Sequence, residues 1–170
     1  MRERLDQTIA SIRPADLSLR ERGQAHLDNL TKPRGSLGRL EEIALSLWLV
    51  GQGEPPRTDP CRVYTVAGDH GVVAEGVSLF PQEVTRQMVL NFLGGGAGIN
   101  ALCRASGIGL KVVDAGSCGG TYPEHPDLIQ RKIAPGTANF AHGPAMSEEQ
   151  CLAALSLGMD LADDCAAEGI

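Results

Sequence analysis

Two apolar segments of the same form constrain the fold of this chain most strongly. Residues 61–68 and 110–116 are rich in β-branched side chains, and each run closes on an Asp and a Gly. Between them, residues 81–104 have helical spacing, which glycines interrupt at positions 94–96. A strand–helix–strand order predicts two parallel strands joined by a right-handed crossover. We therefore expect an α/β protein built around a parallel sheet.

Polar residues follow both predicted strands. In parallel sheets, ligands bind at the carboxyl ends of the strands, which places Asp69, His70 and Asp114 at the functional edge. A carboxylate beside an imidazole can bind a polar ligand or transfer protons. The same pair can consist of a capping Asp and a structural His, and the residues alone leave both interpretations open.

The N-terminal part of the chain is predicted to be helical. Residues 1–30 have apolar side chains near helical spacing, with a break and restart at Pro14 and Asp16. Residues 32–35 predict a turn. Ser36 is then expected to cap the helix that follows.

A Gly- and Pro-rich loop at residues 51–60 is the best internal boundary. It divides the chain into a helical segment, residues 1–58, and the first part of an α/β domain, residues 59–170. Within the second part we expect a short strand at residues 128–133. Ser147, with Glu and Gln in the next three positions, predicts the start of a helix.

Composition excludes several classes of protein. The net charge is −6 and the lysines and arginines are scattered, so no basic face for nucleic acid is expected. No apolar run approaches the ~20 residues of a membrane span, and the charged N-terminus has no apolar signal core. We therefore expect a cytoplasmic protein without membrane or nucleic-acid partners. Aromatic residues make up only 4%, which predicts an aliphatic core.

The five cysteines do not form a recognisable pattern. Their number is odd and none are spaced as Cys-x-x-Cys, which indicates neither a disulfide framework nor a zinc site. Buried free thiols in a reducing compartment are the expected state. His125 and His142 fall in predicted loops without the spacing of metal ligands, so we expect both at the surface.

The segment at residues 78–88 has two interpretations. Phe80, Gln87 and Met88 can line a flat pocket in which one amide orients a heterocycle. Alternatively, Phe80 packs against the start of the helix and Met88 belongs to the ordinary core, which the residues alone favour.

Two further segments suggest anion binding at first sight. The glycines at 94–96 follow a helix rather than a strand and lack the Lys-Ser/Thr of a phosphate loop, so a helix break with Asn100 capping the next helix is preferred. Lys32 and Arg34 place two cations near a helix start, where an anion can bind. A solvated turn is the slightly better interpretation of that segment.

Five motifs occur in order along nearly the whole chain. They are Leu-Thr-Lys-Pro-Arg-Gly-Ser-Leu-Gly-Arg-Leu-Glu at 30–41, Ala-Gly-Asp-His-Gly-Val-Val-Ala-Glu-Gly-Val-Ser at 67–78, Phe-Pro-Gln-Glu-Val-Thr at 80–85, Gly-Gly-Gly-Ala-Gly-Ile-Asn at 94–100 and His-Gly-Pro-Ala-Met-Ser at 142–147. In this order and spacing they resemble the nicotinate-nucleotide–dimethylbenzimidazole phosphoribosyltransferases, a family of cobalamin lower-ligand assembly.

The resemblance implies a fold, a reaction and partners. The fold is a Rossmann-like α/β domain with flanking helices, joined to a small helical domain, in a homodimer. The reaction moves phosphoribose from nicotinate mononucleotide to 5,6-dimethylbenzimidazole and gives α-ribazole 5′-phosphate and nicotinate. Neither a metal nor another cofactor is implied.

The resemblance also assigns residues to the site. The stretch that matches the benzimidazole pocket contributes Ser78, Leu79, Phe80, Gln87 and Met88. In that assignment Phe80 supplies apolar contact and Gln87 polar orientation, but which of Gln87 and Met88 faces the base stays open. Asp69 and His70 support the crevice without a direct catalytic role.

The chain matches only the N-terminal half of this family. The family's general-base glutamate and its later phosphate-binding loops are expected beyond Ile170, so no catalytic residue is assigned and the sheet is expected to be truncated. Two hypotheses follow: part of a transferase, or a catalytically incomplete half-domain that binds the azole base or pairs with a complementary or full-length chain. Which azole or phenolic acceptor is preferred stays open.

Overall fold

The computed structural model describes residues 1–170, which form six α-helices and three β-strands. The helices are α1 (Arg2–Ser11), α2 (Arg20–Asp28), α3 (Arg39–Val50), α4 (Glu83–Leu93), α5 (Gly98–Ser106) and α6 (Glu148–Ala167). The strands are β1 (Arg62–Gly68), β2 (Gly109–Gly116) and β3 (Leu128–Gln130), and short 3-10 turns cover Leu17–Leu19 and Gly71–Glu75. None of the helices is long and apolar enough to cross a membrane.

The three strands form one parallel sheet in the order β1–β2–β3. Val66 of β1 is in register with Val113 of β2, and Val112 is in register with Leu128 of β3. Two helices, α4 and α5, connect β1 to β2, so the repeated apolar pattern does encode a strand–helix–strand unit. The predicted α/β class with a parallel sheet is confirmed.

The centre of the core is formed by Ala67, Val89, Val112 and Tyr122. The expectation of a purely aliphatic core is therefore wrong at Tyr122. Its ring is tolerated inside because the hydroxyl donates to Ser117 Oγ at 2.9 Å, while the Arg86 guanidinium lies 4.6 Å from the ring centroid.

The chain separates into two compact units. One comprises residues 1–6 and 60–170, and the other comprises residues 7–59. In the second unit, α2 and α3 approach closely at Gly23, where an added Cβ would lie 2.7 Å from Leu45 Cδ1. The division into domains at residues 1–58 and 59–170 stays a prediction.

The start of α3 differs from the expectation. Ser36 does not cap this helix; it lies in a turn, and Gly38, with φ of +51°, occupies the capping position. A side chain from inside the helix instead accepts a hydrogen bond from the backbone just before it: Glu41 Oε1 accepts the Leu37 N–H at 3.0 Å. The glycine is needed because the chain enters α3 through a conformation with positive φ.

At the other helix boundaries, the expected cap is found at Ser147, whereas α5 begins at Gly98, two residues before the expected cap Asn100. The glycines at 94–96 break the helical segment, and the side-chain oxygen of Asn100 accepts the Ala97 N–H at 3.1 Å from the third position of α5. Ser147 caps α6, and its hydroxyl accepts the Gln150 N–H at 3.2 Å.

All five cysteines are free, but the expected burial holds fully only for Cys103. Cys61 and Cys151 are exposed because one precedes the first residue of β1 and the other lies on the solvent side of the first turn of α6. Cys118 and Cys165 are half-buried.

Candidate functional site

Asp69 follows β1 and forms hydrogen bonds through both its backbone and its side chain at the carboxyl edge of the sheet. Its backbone N–H donates to Gly116 O at 3.0 Å, and its carbonyl accepts the Thr137 N–H at 2.9 Å. Its carboxylate is buried, with the residue only 6% exposed. One oxygen accepts the Thr85 hydroxyl and the other accepts the Cys118 N–H, each at 2.6 Å. Asp69 thus joins the ends of β1 and β2, the start of α4 and the loop at residue 137.

Gly71 permits a close approach between the turn after β1 and the loop at 137–139. An added Cβ would lie 2.6 Å from three backbone atoms of that loop, which leaves no space for any side chain. The Gly71 N–H donates to Thr137 O at 3.1 Å. On the exposed side, His142 Nε2 lies 2.9 Å from Glu75 Oε1, so a side-chain contact also joins the turn after β1 to the segment that follows the loop.

His70 is exposed, but its backbone is held in place. The Gln82 side-chain amide donates to His70 O at 3.3 Å, and the Cys118 thiol donates to Gln82 Oε1 at 3.6 Å and to Pro135 O at 3.3 Å. Burial raises the pKa of the Cys118 thiol, and the negative charge of Asp69 raises it further. Cys118 therefore acts as a protonated donor that supports the edge.

Asp114 has a structural role in β2. It is 1% exposed, accepts the Ser117 N–H at 2.8 Å and lies 3.4 Å from Lys132 Nζ. Asp114 lines neither of the two cavities at this edge. Of the polar residues predicted there, Asp69 and His70 line both.

The two cavities share the end of β1 as a common wall. The first, which we call the α4 cavity, has a volume of about 520 Å³ and is bounded by β1, the segment at 72–82 and one face of α4. The second, the α6 cavity, has a volume of about 300 Å³ and is bounded by β1, the loop at 133–137 and α6. Both volumes lie within the range of small-molecule sites.

The α4 cavity contains three of the five residues assigned to the benzimidazole pocket. Ser78, Phe80 and Met88 line it. Leu79 is 95% exposed and Gln87 is exposed on α4, and neither lines the cavity. The binding roles of all five stay predictions.

Sequence reasoning did not single out several residues that build this edge. Gln82 and Thr85 line the α4 cavity, and Cys118 and Thr137 hold Asp69. Gln82 and Thr85 lie in a motif that supports the resemblance, so their position in that motif was the available signal. Nothing in the sequence distinguishes Cys118 or Thr137 from ordinary loop residues.

The anion interpretation of the turn at 32–35 is not supported for Lys32. Its ammonium group lies 2.9 Å from Oε1 of Glu41 in the first turn of α3 and is therefore already neutralised. Arg34 is solvated, with its side chain 81% exposed. No group of three His, Cys, Asp or Glu side chains is arranged to hold a metal ion.

Comparison with known proteins adds a further line of evidence. The family model described as "Phosphoribosyltransferase" matches residues 12–170. A nicotinate-nucleotide–dimethylbenzimidazole phosphoribosyltransferase of Nitratidesulfovibrio vulgaris is 65% identical over 170 residues, which covers 99% of this chain and 48% of the relative. One of the same name from Oleidesulfovibrio alaskensis is 66% identical over 163 residues, covering 95% and 46%.

Solved structures agree with these relatives. CobT from Thermus thermophilus superposes with a TM-score of 0.78 at 49% identity and covers 89% of this chain and 45% of that protein. A second structure, of the phosphoribosyltransferase from the same organism, has a TM-score of 0.79 at 48% identity, covering 91% and 46%. The chain spans about half the length of the curated relatives it matches.

Proposed function

This chain belongs to the nicotinate-nucleotide–dimethylbenzimidazole phosphoribosyltransferase family, and we propose that it forms the base-binding side of such an enzyme. The whole enzyme would transfer phosphoribose from nicotinate mononucleotide to 5,6-dimethylbenzimidazole. Within this chain, the α4 cavity is the proposed site of the base. The observation that carries the proposal is the convergence of Ser78, Phe80 and Met88 on one cavity at the carboxyl edge of the sheet.

The chemistry of the α4 cavity suits a flat, largely apolar heterocycle. Phe80 and Met88 offer an aromatic ring and a polarizable thioether, which are favourable partners for a methylated bicyclic ring. Thr85 adds one polar group to the wall of the cavity, and its hydroxyl is already bound to Asp69. Few polar groups among apolar walls are typical of a site that orients one small molecule.

The proposed reaction is a displacement at the anomeric carbon. The unprotonated ring nitrogen of the base bonds to C1′ while the bond from C1′ to the pyridinium nitrogen of nicotinate breaks, and that electron pair neutralises the pyridinium. The other ring nitrogen then loses its proton to a general base. This chain would hold the base in position for attack, which is a large part of such a barrier.

The proton acceptor is assigned to a different part of the protein. We propose that the acceptor is the glutamate that the family resemblance implies beyond Ile170, and that Asp69 and His70 support the crevice. The five free cysteines support a proposed reducing, cytoplasmic location. The proposed assembly is a homodimer.

A second candidate function is binding of the base without turnover. It is supported by the α4 cavity, whose lining residues offer contacts to the base while none of them is assigned a role in the chemical step. The two candidates differ in one product, because only the transferase releases nicotinate from nicotinate mononucleotide.

A matched pair of methionine variants tests the proposed site. Met88 lines the α4 cavity and Met146 lines the α6 cavity, and the two residues are 37% and 39% exposed. Calorimetric titration with 5,6-dimethylbenzimidazole should show weaker binding to Met88→Ala and unchanged binding to Met146→Ala. The opposite order would move the base to the α6 cavity, and no binding by the unsubstituted chain would overturn the proposal. Nicotinate release from added nicotinate mononucleotide, measured with a protein that also carries the family's C-terminal half, then separates transfer from binding alone.

A further inference from the structure

Thr85 connects the α4 cavity to the buried carboxylate behind it. It lies in the first turn of α4, and its hydroxyl donates to Asp69 Oδ1 at 2.6 Å. Thr85 also lines the α4 cavity. A single side chain therefore contacts both the cavity and the residue that ties the sheet edge together.

The Asp69 carboxylate needs this hydrogen bond. Its second oxygen accepts the Cys118 N–H at 2.6 Å, and no Lys, Arg or His side chain forms an ion pair with it. A buried carboxylate without a cation depends on its hydrogen-bond donors to offset the loss of hydration. The two donors come from α4 and from the loop after β2, so Asp69 fixes both relative to β1.

The geometry of α4 links Thr85 to Met88. Residues three apart on a helix lie on the same face, and Thr85 and Met88 both line the α4 cavity. The Thr85–Asp69 bond, together with the bonds from the Arg86 guanidinium to Gly120 O and Thr121 O, restrains the rotation of α4 about its own axis at its first turn. The same restraint determines where the Met88 thioether stands relative to the end of β1.

We propose that Thr85 is a positioning residue for base binding, whose hydroxyl, anchored on Asp69, holds the Met88 face of α4 at the correct distance from β1. The role rests on the proposed function of the α4 cavity. It predicts that the hydroxyl, rather than the bulk of the side chain, determines the affinity for the base.

Three variants separate this role from general stability. Thr85→Val keeps the shape and the β-branching but removes the hydroxyl, and Thr85→Ser keeps the hydroxyl. Ser117→Ala is the control, because it breaks the buried bond to the Tyr122 hydroxyl in a residue that lines neither cavity. Dissociation constants for 5,6-dimethylbenzimidazole are measured together with melting temperatures, at a temperature where every variant is folded.

We expect Thr85→Val to weaken binding by about tenfold, Thr85→Ser to restore it, and Ser117→Ala to lower only the melting temperature. Equal affinity of Thr85→Val and the unsubstituted chain would overturn the positioning role while leaving the base site intact. The same loss in Ser117→Ala would also overturn it, because the effect would then be one of stability. If the unsubstituted chain does not bind the base, both the site and the role of Thr85 are wrong.

Discussion

The Lys32 ammonium group lies 2.9 Å from Glu41 Oε1, and both side chains are nearly buried, at 11% and 8% exposed. Glu41 also accepts the Leu37 N–H at 3.0 Å. One carboxylate therefore binds both the lysine that begins the turn at 32–37 and the backbone N–H that ends it, just before α3. The lysine of this motif is used within the fold, which removes it from the set of groups available to an anionic ligand.

Replacing the two cations of this turn should give different results. Lys32→Met leaves the Glu41 carboxylate buried without its partner, so we expect a melting temperature lower by several degrees. Arg34→Met removes a side chain that is 81% exposed and lies 3.9 Å from Asp28, so its melting temperature should hardly change. Thermal unfolding followed by circular dichroism measures both. Equal effects would show that the Lys32–Glu41 pair does not stabilise the turn.

Stability should fall on the acidic side of pH 4.5. Hydrogen bonding to Lys32 lowers the pKa of Glu41 below 4.5, the Arg4 and Arg131 guanidinium groups lower the pKa of Asp160 below 3.8, and Arg62 lowers the pKa of Glu168 below 4.5. A carboxyl group whose pKa is lower in the folded state stabilises the fold fully above its unfolded pKa, and this contribution is lost as the pH falls through the folded value.

This expectation is checked by measuring urea unfolding midpoints between pH 7 and pH 3 in steps of roughly one pH unit. The midpoint should stay level near neutral pH and drop below about pH 4.5, and Glu41→Gln should show a smaller drop. A midpoint that rises as the solution becomes more acidic would contradict the assignment of these ion pairs.

Gly71 should not tolerate a side chain. An added Cβ would lie 2.6 Å from backbone atoms of residues 137–139, which cannot move without breaking the bonds to Asp69 and Gly71. We expect Gly71→Ala to destabilise the fold by about 2–3 kcal/mol, because overpacking strains the backbone. Gly143→Ala is the matched control, since nothing lies within 4 Å of its added Cβ. Chemical denaturation of the two variants should differ clearly, and similar stabilities would refute the close approach.

Two serines that both precede helices should differ in their contribution. The Ser147 hydroxyl caps α6, so Ser147→Ala should cost about 1 kcal/mol of stability. Ser36 lies in the turn before α3 and does not cap it, so Ser36→Ala should be close to neutral. Urea denaturation of the two variants measures the difference. A substantial loss at position 36 would mean that α3 begins earlier than the structure shows.

The parts of the fold that follow from local patterns can be predicted from the sequence. The β-branched runs define β1 and β2, and Ser147 with Gln150 defines the start of α6, because these signals depend only on neighbouring residues. The start of α3 cannot be predicted in this way, because it depends on Glu41, a residue inside the helix, and on a glycine with positive φ. A short-range pattern does not distinguish this arrangement from a serine cap.

The candidate site can be predicted in its position but not in its connections. The edge marked by Asp69 and His70 and the lining residues Phe80 and Met88 follow from topology and motif. The roles of Cys118 and Thr137 depend on contacts with Asp69, which lies 49 and 68 residues earlier in the sequence. Such contacts become visible only in three dimensions.

The binding of the base at Met88 can be observed directly by NMR. The chain has four methionines, so labelling their methyl groups with ¹³C gives a spectrum in which the α4 cavity is reported by Met88 and the α6 cavity by Met146. Titration with 5,6-dimethylbenzimidazole should shift the Met88 signal and leave Met146 in place. A shift of Met146 alone, or no shift at saturating base, would contradict the assignment of the base site to the α4 cavity.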